Sequence, residues 1–168
     1  MGEVADLRQE VSTLRKEMHL MRQEFTAAIE ILSEQVGQNV KNEEITFPNG
    51  DQYTGETKNG KPHGEGRMKF SSGNVYLGEW QEGTMEGNGD CNFADGRFYS
   101  GEWEGGKLSG FGECRWKDGK VYAGAWTDGK REGIGICTYP DGSVYNGEWK
   151  NGERMGHAEV HYANGIVY

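Results

Sequence analysis

Basic residues are scarce in this chain: 18 Lys and Arg stand against 27 Asp and Glu, a formal charge of −9 at pH 7. That deficit argues against nucleic acid as a partner, because phosphate backbones call for clustered Lys and Arg. It also leaves membrane lipid as a disfavoured partner, since the cytoplasmic leaflet is itself anionic. No apolar run is long enough to span a bilayer, and no signal peptide is read at the start. Only three cysteines are present, Cys91, Cys114 and Cys137, too few for a disulfide framework. Catalytic patterns are missing as well. The Gly-x-Gly pairs are not followed by Gly-Lys-Ser or Gly-Lys-Thr, and His63, His157 and His161 have no cysteine or carboxylate at ligand spacing. No catalytic residue, metal site or cofactor is therefore expected.

Glycine, by contrast, is abundant, with 28 residues, and it is placed in register. Tyr53, Tyr76, Tyr99, Tyr122, Tyr145 and Tyr168 are spaced by 23 residues, and their surroundings recur with them. A fixed period of this size marks an array of one small structural unit. Counting each tyrosine as position one, glycine fills the third, eighth, twelfth and twenty-first positions of all five units, and the fourteenth of four. A scattered flexible linker would not keep such register. Each unit has two turn glycines, and Asn or Asp usually precedes them, as in Asn59-Gly60 and Asp95-Gly96. Both residues of such dipeptides tolerate positive φ, which favours tight turns. Two turns leave room for two strands of about six residues each.

Alternation then assigns the faces. Tyr76, Gly78 and Trp80 share one side of a first strand, as do Tyr99, Gly101 and Trp103, and Tyr122, Gly124 and Trp126. The eighteenth position is always aromatic: Phe70, Phe93, Trp116, Tyr139 and Tyr162, with Phe47 in a leading half unit. Glu56, Glu79, Glu102 and Glu148 fall on the opposite side. Large rings beside glycine can lie over a neighbouring backbone, which gives one sheet an apolar cover without a second layer. The three cysteines share the sixteenth column. Equivalent strands of a meander lie about 9.5 Å apart, and a disulfide needs Cα atoms at roughly 4.4–6.8 Å, so neighbouring cysteines cannot bridge. Free thiols suit a reducing cytoplasm.

The pattern Tyr-x-Gly-Glu-Trp-x-x-Gly-x-x-x-Gly-x-Gly, nearly complete in Tyr76 to Gly89 and Tyr99 to Gly112, resembles the MORN repeat, the membrane occupation and recognition nexus. Thr57, Ala125 and Ala158 depart from it, in place of a tryptophan, a glutamate and a glycine. The resemblance covers residues 45–168. It implies a mainly β fold, an elongated single-layer antiparallel meander of hairpins with a shallow groove. It also implies a scaffolding or tethering role without catalysis, and partners among cytoskeletal or axonemal proteins of cilia and flagella.

Residues 1–44 have a different composition, without turn dipeptides or tryptophan. Apolar residues follow a heptad: Val4, Val11, Met18, Phe25 and Leu32 at a; Leu7, Leu14, Met21 and Ala28 at d. Glu3, Glu10, Glu17 and Glu24 occupy g, and Arg8, Arg15 and Arg22 occupy e. In a parallel pair each g meets the e five residues later on the partner, so Glu10 meets Arg15. Residues 1–44 are thus expected to be a coiled-coil helix that dimerises in parallel or takes a heptad-bearing partner, ahead of the array of residues 45–168. The whole is expected in the cytoplasm, on the cytoskeleton, a ciliary or flagellar axoneme included. A second candidate role is peptide binding along the aromatic groove by Tyr76, Trp80, Tyr99, Trp103, Tyr122 and Trp126, and a third is a phosphoinositide tether.

Overall fold

The computed structural model describes Leu20, Met21, Gln23 and residues 42–168. Leu20, Met21 and Gln23 are helical, and Leu20 and Met21 are exposed. The heptad positions Val4, Leu7, Val11, Leu14, Met18, Phe25, Ala28 and Leu32 lie outside the described residues.

From Asn42 onward the backbone forms one antiparallel sheet whose eleven strands lie in sequence order. They are β1 Asn42–Thr46, β2 Gln52–Lys58, β3 Lys61–Lys69, β4 Val75–Gln81, β5 Thr84–Asn92, β6 Phe98–Glu104, β7 Lys107–Arg115, β8 Val121–Thr127, β9 Lys130–Thr138, β10 Val144–Lys150 and β11 Glu153–His161. β1 starts inside the stretch expected to be helical. Its residues complete the ladder of β2, pairing Glu43 with Gly55 and Ile45 with Tyr53, and the Thr57 hydroxyl donates to the Glu43 carboxylate at 2.6 Å.

Within each unit the strands run longer than six residues, seven and then nine, because the turn between them takes only two. Asn59 and Gly60 have φ of 53° and 72°, a type I′ hairpin turn, and Asp128-Gly129 and Asn151-Gly152 match it. The same turn at Glu82-Gly83 puts a glutamate at φ 50°. Between units the turn is longer. Phe70 O accepts from Gly73 N at 2.9 Å, and Phe70 N donates to Asn74 O at 2.9 Å. Here both residues of the dipeptides tolerate positive φ, but only the glycine adopts it. The Asn or Asp instead accepts a bond from the backbone two residues on, at 3.0 Å from Arg97 N to Asp95 and 3.0 Å from Lys120 N to Asp118. An Asx side chain closes the turn there, which is the other reason such residues favour turns.

Each unit also carries a bulge. Gly78 pairs with Gly89 and Trp80 with Met85, so Glu79 alone spans Glu86, Gly87 and Asn88. Gly87 takes φ 62° to make the detour, and the Glu79 carboxylate accepts the freed Asn88 N–H at 2.8 Å. Glu102 does the same for Phe111 N–H at 2.7 Å. Glu79 and Glu102, with Glu148 at 3.4 Å from His157 N, are thus backbone caps on the outer side of the first strands.

The core is a single layer. Tyr76, Tyr99 and Tyr122 are fully buried and Tyr53 is 1% exposed, although no second sheet covers them. Each ring lies on the fourteenth-position glycine of the next strand: a Cβ at Gly66, Gly89, Gly112 or Gly135 would fall within the ring of Tyr53, Tyr76, Tyr99 or Tyr122. The phenol then donates to a bulge carbonyl, Tyr99 to Glu102 O at 2.9 Å and Tyr122 to Ala125 O at 2.9 Å. The indoles bridge units: Trp80, Trp103, Trp126 and Trp149 donate to the carbonyls of Gly66, Gly89, Gly112 and Gly135 at 3.0–3.1 Å.

Candidate interaction surface

These bonds place nine rings edge to face in one row: Tyr53, Trp80, Tyr76, Trp103, Tyr99, Trp126, Tyr122, Trp149 and Tyr145, with centroids 5.1–5.6 Å apart. Edge-to-face pairs contribute about 0.5–1.5 kcal/mol each beyond the area they bury. The six rings expected to line a groove, Tyr76, Trp80, Tyr99, Trp103, Tyr122 and Trp126, are all members of this row and none is more than 6% exposed. What reaches the surface on that side is the eighteenth column. Phe47, Phe70, Phe93, Trp116 and Tyr139 are half-buried, and Tyr162 is exposed.

Cations lie on those rings, a feature the repeat alignment did not single out. Arg97 sits 4.6 Å from the Phe93 centroid and Lys120 4.1 Å from that of Trp116. Arg131 stacks 4.2 Å from Trp149, and Arg154 4.7 Å from Tyr139 and 4.9 Å from Tyr145. Arg131 and Arg154 occupy the tenth position, directly opposite a tryptophan, where the earlier units carry Pro62, Met85 and Leu108. That column was legible as a drift from apolar to cationic. Arg97 is paired with Asp95 at 2.7 Å. Lys120, Arg131 and Arg154 enter none of the ion pairs among the described residues; Arg154 Nε donates instead to the Tyr139 hydroxyl at 3.0 Å. A cation over an aromatic face is held there by the ring's quadrupole. The aromatic side of the last two units thus carries Arg131 and Arg154 outside any ion pair among the described residues, in a chain of acidic balance.

Burial governs the titration of this layer. It pushes the phenols of Tyr53 and Tyr122 up to about 12 and the thiols of Cys91 and Cys114 up to about 11. All three cysteines are buried and free. Such thiols behave as small apolar groups and not as nucleophiles. Among the described residues no group of three or more His, Cys, Asp and Glu side chains could hold a metal ion. No helix among them is long and apolar enough to cross a membrane.

Among solved structures, the TCP domain of SAS-4 (dCPAP) of Drosophila melanogaster, in complex with a proline-rich motif of Ana2 (dSTIL), is similar at 17% identity. The match covers 77% of this chain and 77% of that one, with a TM-score of 0.47. The TCP10 domain of Danio rerio CPAP, in complex with a peptide of Danio rerio STIL, is also similar at 17% identity. That match covers 77% of this chain and 62% of that one, with a TM-score of 0.48. Comparison with curated proteins finds no match. The MORN repeat model matches residues 53–75, 76–96, 99–121, 122–144 and 145–167, the five intervals that begin on the buried tyrosines, and the chain belongs to the MORN-repeat family.

Proposed function

We propose that this chain is a non-catalytic scaffold or adaptor. In this reading residues 1–44 join two copies in parallel, or one copy to a heptad-bearing partner. The repeat array docks in a larger cytoskeletal assembly in the cytoplasm, a ciliary or flagellar axoneme being one such setting. The observation that supports it is the buried row of rings. A sheet stabilised by its own aromatic row does not need a second layer, so its outer surfaces are left for partners. Ten strand spacings of about 4.8 Å give that surface a width of about 48 Å. A long regular surface suits docking better than it suits enclosing a substrate.

The test is a charge reversal in the full chain, read by sedimentation. Glu10→Arg sets a new guanidinium against Arg15 of the other copy and is expected to weaken the dimer; adding Arg15→Glu is expected to restore it. An oligomer indifferent to both changes would move self-association away from the heptads. A second reading, an adaptor that holds a peptide on the aromatic side, is favoured by the ring-stacked cations Lys120, Arg131 and Arg154. Its contacts would fall on Trp116, Tyr139 and those cations, with the buried Tyr122 and Trp126 as the floor. Arg131→Gln with Arg154→Gln would then weaken capture of an acidic peptide; vesicle sedimentation with the same variant separates a phosphoinositide tether from it.

A further inference from the structure

The side of the sheet opposite the rings carries a second feature. In the third and fourth units the polar columns of that side turn apolar. Phe111 and Ile134 stand where Glu65, Asn88 and His157 stand in the other units, and Ile136 stands where Arg67, Asp90, Glu113 and Glu159 do. Ala125 replaces the capping glutamate between them. Register makes these residues one patch: Phe111 is opposite Ala125, and Ala123 is opposite Ile136. Phe111 is 58% exposed, Ile134 62% and Ile136 44%. Leu77 and Met155 are also exposed on this side, but singly; apolar side chains gathered in one place mark interaction sites.

We propose that this patch docks an amphipathic helix whose apolar stripe is flanked by Lys and Arg. Two observations select that occupant. β7, β8 and β9 are each hydrogen-bonded on both sides, so no backbone is left for strand addition and a partner must pack by side chains alone. A helix presenting residues at i, i+3, i+4 and i+7 does that on a sheet face. The rim is acidic: Glu102 lies beside Phe111, Glu113 opposite Ala123, Glu148 opposite Ile134, and Glu159 on β11 beyond Asn146. Arg115, on the same side, is held by Glu113 at 2.7 Å. A second copy would set carboxylate against carboxylate, and an anionic membrane would meet the same repulsion. This surface is on the other side from the cation-bearing rings and does not depend on what binds there.

The other repeats supply the test substitutions. Ala125→Glu, Ile134→Asn and Ile136→Asp install what Glu102, Asn88 and Asp90 already are in folded units, so the triple variant should keep its melting temperature. The probes are two synthetic helical peptides with the same leucine stripe, one flanked by lysines and one by glutamates, titrated into the full chain by fluorescence anisotropy. The lysine peptide is expected to bind at least about tenfold tighter than its glutamate twin, and the triple variant to lose at least about tenfold of that affinity. Arg131→Gln with Arg154→Gln, on the other side, is expected to leave it unchanged. Equal affinity of the two peptides would overturn the proposal, as would a triple variant that binds normally or a loss seen only with the arginine variant. Self-association of the full chain that the triple variant abolishes would also overturn it, by assigning the patch to a second copy.

Discussion

Glu102 and Trp103 are adjacent on β6 and face opposite sides of the sheet, and the two sides obey different rules. On the ring side the third, fifth and sixteenth columns barely vary from unit to unit, because each residue there has partners in two neighbouring strands. Trp103 touches Tyr76 and Tyr99 and bonds Gly89. On the other side the thirteenth and fifteenth columns range from Glu and Arg to Phe and Ile. The lesson is that internal repetition in this chain measures packing partners, and departure from repetition marks the surface left to vary.

That contrast is broken or sharpened first by paired truncations. Trp103→Ala is expected to cost about 3–5 kcal/mol, since it empties the space between two tyrosines and strands the Gly89 carbonyl. Glu102→Ala, one residue away, should cost about 1 kcal/mol, because the Phe111 N–H it uncovers can turn to water. Denaturant unfolding of both variants checks this, and equal losses would erase the distinction between the sides.

A smaller effect is expected from pH. Burial raises the folded-state pKa of the Cys91 and Cys114 thiols from 9.0 and of the Tyr53 and Tyr122 phenols from 10.0. The neutral forms are thus favoured by folding. Their contribution is complete below the unfolded values and is lost as pH rises, between about 9 and 11 for the thiols and about 10 and 12 for the phenols. The turn residues Asp51, Asp95 and Asp141 shift the other way: backbone N–H groups, or the Ser143 hydroxyl and N–H for Asp141, hold their pKa below 3.8. Their contribution is present above that value and fades as pH falls through the lowered pKa. Thermal scans should give a plateau between about pH 5 and 8.5, with a steeper fall on the alkaline side, where the ring layer titrates. A steeper fall in acid would place the sensitive groups on the turns.

The smallest change is expected where the two sides meet, at the hairpin turns. Glu82 holds φ 50° in a position that Asn59, Asp128 and Asn151 fill elsewhere. Glu82→Asn should stabilise the sheet by up to about 1 kcal/mol, seen as a small rise in melting temperature. No gain would mean that the ion pair of Glu82 with Lys58 at 3.6 Å offsets the backbone strain.

Much of the sheet was legible in the sequence because period and alternation together leave few choices. Tyr99, Gly101, Trp103 and Gly112 could be placed on one face from spacing alone, and the ring-on-glycine packing followed from their sizes. The cysteines could be kept apart by counting strands. Other features could not be read that way. Asp95 and Asn59 both precede a turn glycine, yet one closes its turn with its side chain and the other with its own φ; the dipeptide is alike and the number of residues between strands decides. The rings of Tyr76 and Trp80 were legible as a binding groove because a ladder of aromatics reads alike whether it is covered or open. Arg131 and the Phe111 patch went unread for the opposite reason, since aligning units draws attention to what recurs. Of the heptad positions in residues 1–44 Met21 alone is among the described residues, so that part rests on its spacing.

The strand order has one more consequence. Because every strand is bonded only to those before and after it, the sheet has no centre whose loss would bring down the rest. Deleting one 23-residue hairpin from the middle would bring matching seams together, as when one link is taken from a chain, whereas the same excision from a globular core would leave a hole. Length in such a ruler-like sheet is thus open to adjustment by whole hairpins, and a distance between two anchoring points can be set by counting them.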